Sequence, residues 1–251
     1  FLTRRSKVFL DTSSEYKNAE KIIGSLNLKK LNIITKIKVE KKNDKNLIES
    51  EIFDKINNSK KIFKKNKLYA VLIHNPACLL SKDGKIIYDY LRKLKNKKYF
   101  KKIGVSIYDM NQIKFLNKKY DLEIIQLPYN VFDQRLDKKE IYEILKKKNL
   151  EIHARSIFLQ GTLLKHSFYN FKNALLQKKL IDWNKWLDNK KLKSLDVCVS
   201  NSLLNNKIDK IVVGFDSFDQ FKQYLRVNIK KNDISFFSTN NKKIINPTLW
   251  N

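Results

Sequence analysis

The sequence predicts an α/β protein on a parallel sheet, a (β/α)8 TIM barrel that is N-terminally incomplete. Three observations carry that expectation. Short β-branched apolar runs alternate with longer lysine-rich stretches of helical periodicity. The runs are apolar along most of their length, as in strands covered on both faces. Residues able to do chemistry stand at the ends of successive runs: Asp11 and Tyr16 in VFLDTSSEY, Lys36 in LNIITKI and His74 in LYAVLIHNP. Strand ends are where (β/α) barrels keep their sites.

Seven strands are expected, at Val8–Thr12, Leu31–Ile37, Leu68–Ile73, Lys102–Ser106, Leu122–Leu127, Glu151–Phe158 and Lys210–Gly214. Helices are expected between them at Ala19–Ser25, Asn46–Phe63, Ile86–Leu94, Met110–Lys119, Lys138–Lys147 and Ser217–Val227. Regular β-then-α alternation implies parallel pairing. A closed barrel takes eight strands, and Phe1–Lys7 is too short for a strand and its helix. Because the chain starts at Phe1 rather than Met, a fragment or trimmed chain lacking the first βα unit is expected. A doubly wound open sheet is the alternative, but no GxGxxG turn follows any strand. The whole of 1–251 is expected to form one domain.

Between the last two strands the connection is long. Leu163–Leu180 and Ile181–Leu192 read as two helices, with Leu195–Leu204 as the helix proper to the barrel. Trp183 and Trp186, three residues apart, suit a core and also suit a pocket wall.

Composition narrows the function. The 53 Lys and Arg against 25 Asp and Glu give a net charge of +28, which would draw anionic ligands. Lysine supplies nearly all of it and is spread over the expected helices, whereas base and phosphate recognition favours arginine. Solvated helix faces therefore explain the charge better than nucleic-acid binding does. Cys78 and Cys198 lack ligand spacing and read as reduced thiols, which suits a cytoplasmic protein. The three histidines form no HxH or HExxH pair, so no metal is expected. No apolar run approaches the roughly 18–20 residues of a membrane span.

Tyrosine, lysine, aspartate and histidine at successive strand ends can make a proton-donating site. Each has a plainer reading alone: Asp11 as a helix cap, Lys36 as a surface lysine, His74 as a loop histidine. Their order, and the segments around them, resemble the aldo/keto reductase family. FLDTSSEYKNAEKIIG, IITKI and LIHNP are similar to the family's strand-two, strand-three and strand-four motifs. KKIGVSIYD, IIQLPYNVFDQR, EIHARSIFLQGTLL and KIVVGFDSFDQFKQYL resemble four later segments in the same order. The ending NPTLW resembles the bacterial branch associated with surface-sugar gene clusters.

The resemblance implies a metal-free barrel that reduces an aldehyde or ketone, sugar-derived in that branch, with NADPH or NADH. It assigns Tyr16 as proton donor, Lys36 as the ammonium that lowers its pKa from about 10, Asp11 as the partner of Lys36, and His74 as a hydrogen-bond donor to the carbonyl. It implies that Ser106 and Gln126 hold the nicotinamide carboxamide, with Ile107 in place of the usual asparagine. Arg155 stands where an aromatic commonly stacks on that ring. Ser156, Phe158, Gln160 and Gly161 correspond to the pyrophosphate loop. Gly214, Ser217, Gln220 and Tyr224 correspond to the adenosine end. Asp216 stands where many members carry a basic residue. A carboxylate repels a 2′-phosphate but accepts from a free ribose hydroxyl, which tilts the expectation towards NADH. An inactive dinucleotide- or partner-binding barrel and a basic nucleic-acid-binding protein remain as alternatives. Oligomeric state is not legible.

Overall fold

The computed structural model describes residues 8–26, 31–40, 44–165 and 172–250. Seven parallel strands follow one another in sheet order, β1 to β7. They are β1 Phe9–Asp11, β2 Asn32–Ile37, β3 Leu68–Ile73, β4 Phe100–Ser106, β5 Ile124–Pro128, β6 Glu151–Arg155 and β7 Lys210–Ile211. The chain divides into two compact units, residues 1–126 with 144–150, and residues 127–143 with 151–251.

In the first unit, α1 Ala19–Ser25, α2 Lys45–Ile62, α3 Ala77–Leu80, α4 Gly84–Asn96 and α5 Asn111–Lys119 separate the strands. α2 buries Ile48, Ile52 and Ile56 at helical spacing, and Asp44 caps its start by accepting from the Leu47 N–H at 2.9 Å. Lysines close the last turns of α2, α4 and α5, where the helix dipole favours cations. Register places Asp11 beside Ile34, Lys36 beside Leu72, and Ser106 beside Gln126. Gly104 is needed for the β4–β5 approach, since a Cβ there would meet the Ile124 carbonyl oxygen at 2.7 Å.

A buried carboxylate ties three elements of this unit together. Glu20 of α1 accepts from Thr35 Oγ1 of β2 at 2.6 Å and from Ser59 Oγ of α2 at 2.9 Å. Glu20→Ala would strand the Thr35 hydroxyl in the interior and leave Ser59 Oγ only its bond to the Lys55 carbonyl at 3.1 Å. It is expected to cost about 2–3 kcal/mol in urea unfolding, and a loss below about 0.5 kcal/mol would show that the node is not structural.

The second unit holds β6, β7, α7 Ala174–Lys190, α8 Ser194–Leu203, α9 Phe218–Leu225 and α10 Lys242–Ile245, and α6 Lys139–Lys147 runs from it into the first. Its core gathers Val131, Phe132, Leu163, Leu176, Trp183, Leu187 and Phe237. Trp183 is fully buried, its indole N–H donates to the Leu163 carbonyl at 3.0 Å, and it stacks on Trp186. The tryptophan pair is therefore core.

Several sequence expectations are corrected here. The two helices expected at Leu163–Leu180 and Ile181–Leu192 are one, α7, because Leu180 and Trp183 lie on a single buried stripe. Before it, Thr162–Leu164 is a 3-10 turn, and the rest of that expected helix falls partly on residues 166–171, outside the described residues. β6 stops at Arg155 rather than Phe158, because Ser156 turns left-handed at φ 57°. β7 keeps only two of its five expected residues. The expectations for Phe1–Lys7 and for His166 also lie outside the described residues.

Candidate active site

Asp11, the last residue of β1, sits in parallel register with β2. The turn that follows keeps bonding to β2: Thr12 N–H donates to Ile34 O at 2.9 Å, and Ser14 N–H donates to Lys36 O at 3.0 Å. This extension delivers Tyr16 next to Lys36. Lys36 is only 2% exposed, and its Nζ bonds to Asp11 Oδ1 and, at 3.0 Å, to the Thr12 carbonyl. The surface-lysine reading of Lys36 therefore fails: a desolvated ammonium in the interior needs a paired anion, and Asp11 is spent on that pairing.

The other carboxylate oxygen of Asp11 is also held. Gln126 Nε2 donates to Asp11 Oδ2 at 2.8 Å across 115 residues of sequence. That contact orients the Gln126 amide, because its carbonyl cannot face a carboxylate. Gln126 Oε1 is left buried without a hydrogen-bond partner. Ser106 is buried beside Gln126 in register, and Ile107 N–H donates to the Gln126 backbone carbonyl at 2.9 Å.

Tyr16 is 46% exposed, with Lys36 Nζ 5.4 Å from its ring centroid. That distance falls within cation–π range. Its ring meets His74 edge-on at 5.8 Å and 85°. His74 follows β3, anchored by its N–H to Ile37 O at 2.8 Å. The four residues at the strand ends therefore form one cluster, with Gln126 as a fifth member. An ammonium, a phenol and an imidazole so placed can deliver a proton and hydrogen-bond an oxygen that gains negative charge.

The remaining expected site residues lie in the second unit, in two segments. After β6, Arg155 Nη1 donates to Ser156 Oγ at 3.2 Å, and Asn130 Nδ2 donates to Ser156 O at 3.2 Å. Leu159, Gln160 and Gly161 follow at φ 46°, 57° and 79°, three left-handed residues in a row, where only glycine is unstrained. Phe158 packs on the core, while Gln160 is exposed. After β7, Gly214 leads to α9, where Ser217 Oγ accepts from the Gln220 N–H at 3.2 Å. Gln220 Oε1 in turn accepts from the N–H of Asp216, the residue before the cap, at 2.9 Å. Tyr224 packs 5.3 Å from Phe215, and burial pushes its hydroxyl pKa up.

The sequence reading missed Ser13. Two residues past Asp11 and 1% exposed, its hydroxyl lies 3.2 Å from His74 Nδ1. A serine between Asp11 and Tyr16 was visible in the sequence, but its contact to a residue 61 positions away was not. Both cysteines are buried and free, and burial pushes the Cys78 thiol up to about 11. Among the described residues no group of His, Cys, Asp and Glu could hold a metal ion, and no helix is long and apolar enough to cross a membrane.

Consecutive parallel strands, alternating with helices and carrying an ionisable cluster at their ends, define an enzyme of the (β/α) barrel class. The chain belongs to the aldo/keto reductase family, whose sequence pattern matches residues 3–244, and it is an oxidoreductase of that type. Its fold is similar to an aldo-keto reductase from Bacillus halodurans in the holo form, with TM-score 0.76, 15% identity, and 92% of this chain and 82% of that chain covered. The apo form of that protein gives TM-score 0.73, 16% identity, and coverage of 91% and 79%. A glycerol dehydrogenase from Gluconobacter oxydans gives TM-score 0.62, 16% identity, and coverage of 90% and 83%. At these identities the likeness establishes the (β/α)8 fold. No curated protein matches the chain.

Proposed function

We propose that this chain, as one catalytic domain, reduces an aldehyde or ketone with NADH or NADPH, Tyr16 giving the proton. The observation that carries the reading is the buried Lys36–Asp11 pair with Tyr16 and His74 against it. A dinucleotide fits the residues present in one specific respect. Gln126 Oε1 is a buried acceptor without a partner, and a nicotinamide carboxamide N–H is a donor of the right kind. Ser106 would hold the same carboxamide and Arg155 would stack on the ring. Ser156, Phe158, Gln160 and Gly161 would line the pyrophosphate side. Gly214 and Tyr224 would contact the adenosine end, and Ser217 and Gln220 would act through the cap they build on α9.

When bound, the dinucleotide supplies the hydride. The chain's own residues do the rest. Lys36 favours the phenolate of Tyr16 and so makes its hydroxyl a better acid near neutrality. Asp11 keeps that ammonium charged and in place. His74 donates a hydrogen bond to the substrate oxygen as negative charge develops there. Tyr16 then passes its proton to that oxygen. A sugar-derived carbonyl is the favoured substrate, in keeping with the terminal NPTLW resemblance and a similar fold named a glycerol dehydrogenase. The two free thiols suit a reducing cytoplasm.

The test is a fluorescence titration of the folded protein with NADH and NADPH. Saturable binding is expected, tighter for NADH, with Asp216→Ala narrowing the preference by about ten-fold, on the order of one charge–phosphate contact. A folded protein that binds neither nucleotide would overturn the reading.

A further inference from the structure

We propose that Lys55 of α2 is a positioning residue: its ion pair with Glu15 holds the turn that carries Tyr16 next to Lys36. The inference rests on the carbonyl reduction proposed above, in which Tyr16 gives the proton. An ammonium has three protons, and Lys55 Nζ meets three acceptors. They are the Lys38 carbonyl just past β2 at 2.6 Å, Glu51 Oε1 one turn earlier in α2 at 3.1 Å, and Glu15 Oε1 at 3.3 Å. The first two fix the ammonium to its own helix and to the exit of β2. The third extends that anchor to the residue before Tyr16. Burial raises the Glu15 carboxyl pKa, but Lys55, with Ser14 and Lys38, brings it below its usual value. Glu15 is therefore charged near neutrality and the pair is formed.

The turn has reason to need the anchor. Tyr16 is 46% exposed, so packing restrains its ring little. Its N–H donates to Ser13 O at 3.1 Å and its carbonyl accepts from the Ala19 N–H at 2.7 Å, both contacts within one short segment. Lys17, the next residue, is left-handed at φ 36°, a conformation that persists only where the surroundings hold it. Ser13 and Ser14 bond the start of the turn to the Lys36 carbonyl, and Glu15 adds a side-chain bond to α2 beside Tyr16. The 5.4 Å spacing between Lys36 Nζ and the Tyr16 ring depends on where that turn sits. With side chains 27% and 34% exposed, the Lys55–Glu15 pair adds little to stability. Its effect belongs to the rate, because misplacing a reacting group by about 1 Å can cost 10²-fold.

Lys55→Met should lower kcat by about ten-fold or more, with KM and dinucleotide affinity within about two-fold. The melting temperature should fall by no more than about 4 °C. Glu15→Gln should act alike, and the double variant should be no slower than the slower single one, because both break one contact. The second readout needs no turnover. In the ligand-free protein the Tyr16 ring signals, assigned by their loss in Tyr16→Phe, are displaced by the edge-on ring of His74. In either variant they should move towards the positions of free tyrosine. A Lys55→Met kcat within about two-fold of wild type would overturn the proposal, as would single losses that multiply in the double variant or Tyr16 ring signals that stay in place. Should Lys55→Met fail to fold, Glu15→Gln decides, since it keeps the shape and removes the charge. A folded protein that binds no dinucleotide sinks the proposed reaction, and the ring signals still tell whether Lys55 holds Tyr16. An active reductase that keeps its rate and ring signals in Lys55→Met sinks only the role of Lys55.

Discussion

Tyr16→Phe is expected to lower carbonyl reduction by about 10³-fold, leaving dinucleotide affinity within about two-fold and the unfolding midpoint unchanged. The reason is local. Tyr16 is nearly half exposed and keeps its ring against His74 and Lys36. Removing only the hydroxyl therefore leaves the ring packing in place. Steady-state kinetics and nucleotide titration on the same sample check it. If the rate falls by less than ten-fold, the proton comes from another group, and the cluster at the strand ends is not the catalytic centre.

Lys36→Met should damage both stability and rate. The ammonium is 2% exposed and the Asp11 side chain 14% exposed, so the substitution leaves a largely buried carboxylate with only the Gln126 amide to hold it. Breaking one side of such a pair costs about 3–5 kcal/mol, which for a chain of this size lowers the melting temperature by about 10 °C. Reduction should fall by about a hundred-fold or more, since the phenol of Tyr16 loses its neighbouring cation. The double variant Lys36→Met with Asp11→Asn separates the two effects. It removes both charges, so most of the stability should return while activity stays low. Recovery of activity along with stability would make the pair purely structural.

The sequence alone determined the alternation of strands and helices and the positions of Asp11, Lys36 and His74 at or near strand ends. β3 and α1 appear at their expected boundaries. Local pattern suffices for this: apolar β-branched runs select strands, and the lysine-rich stretches between them carry apolar stripes of helical period. Even the partners in the cluster could be anticipated, because short turns after parallel strands bring their ends to one side of a sheet.

Only the tertiary structure decided how those residues are used. Lys36 could not be known as buried from its own segment, because its burial depends on β1 and β3 flanking β2. The Gln126 amide is oriented by Asp11 across 115 residues, and Ser13 meets His74 across 61. The early end of β6 follows from a left-handed Ser156, and the single helix α7 follows from a stripe that packs against Leu163 and Phe237. Hydrogen bonds and burial of this kind are properties of pairs that are distant in sequence. The residue types name the groups available, and the sheet register settles which of them meet.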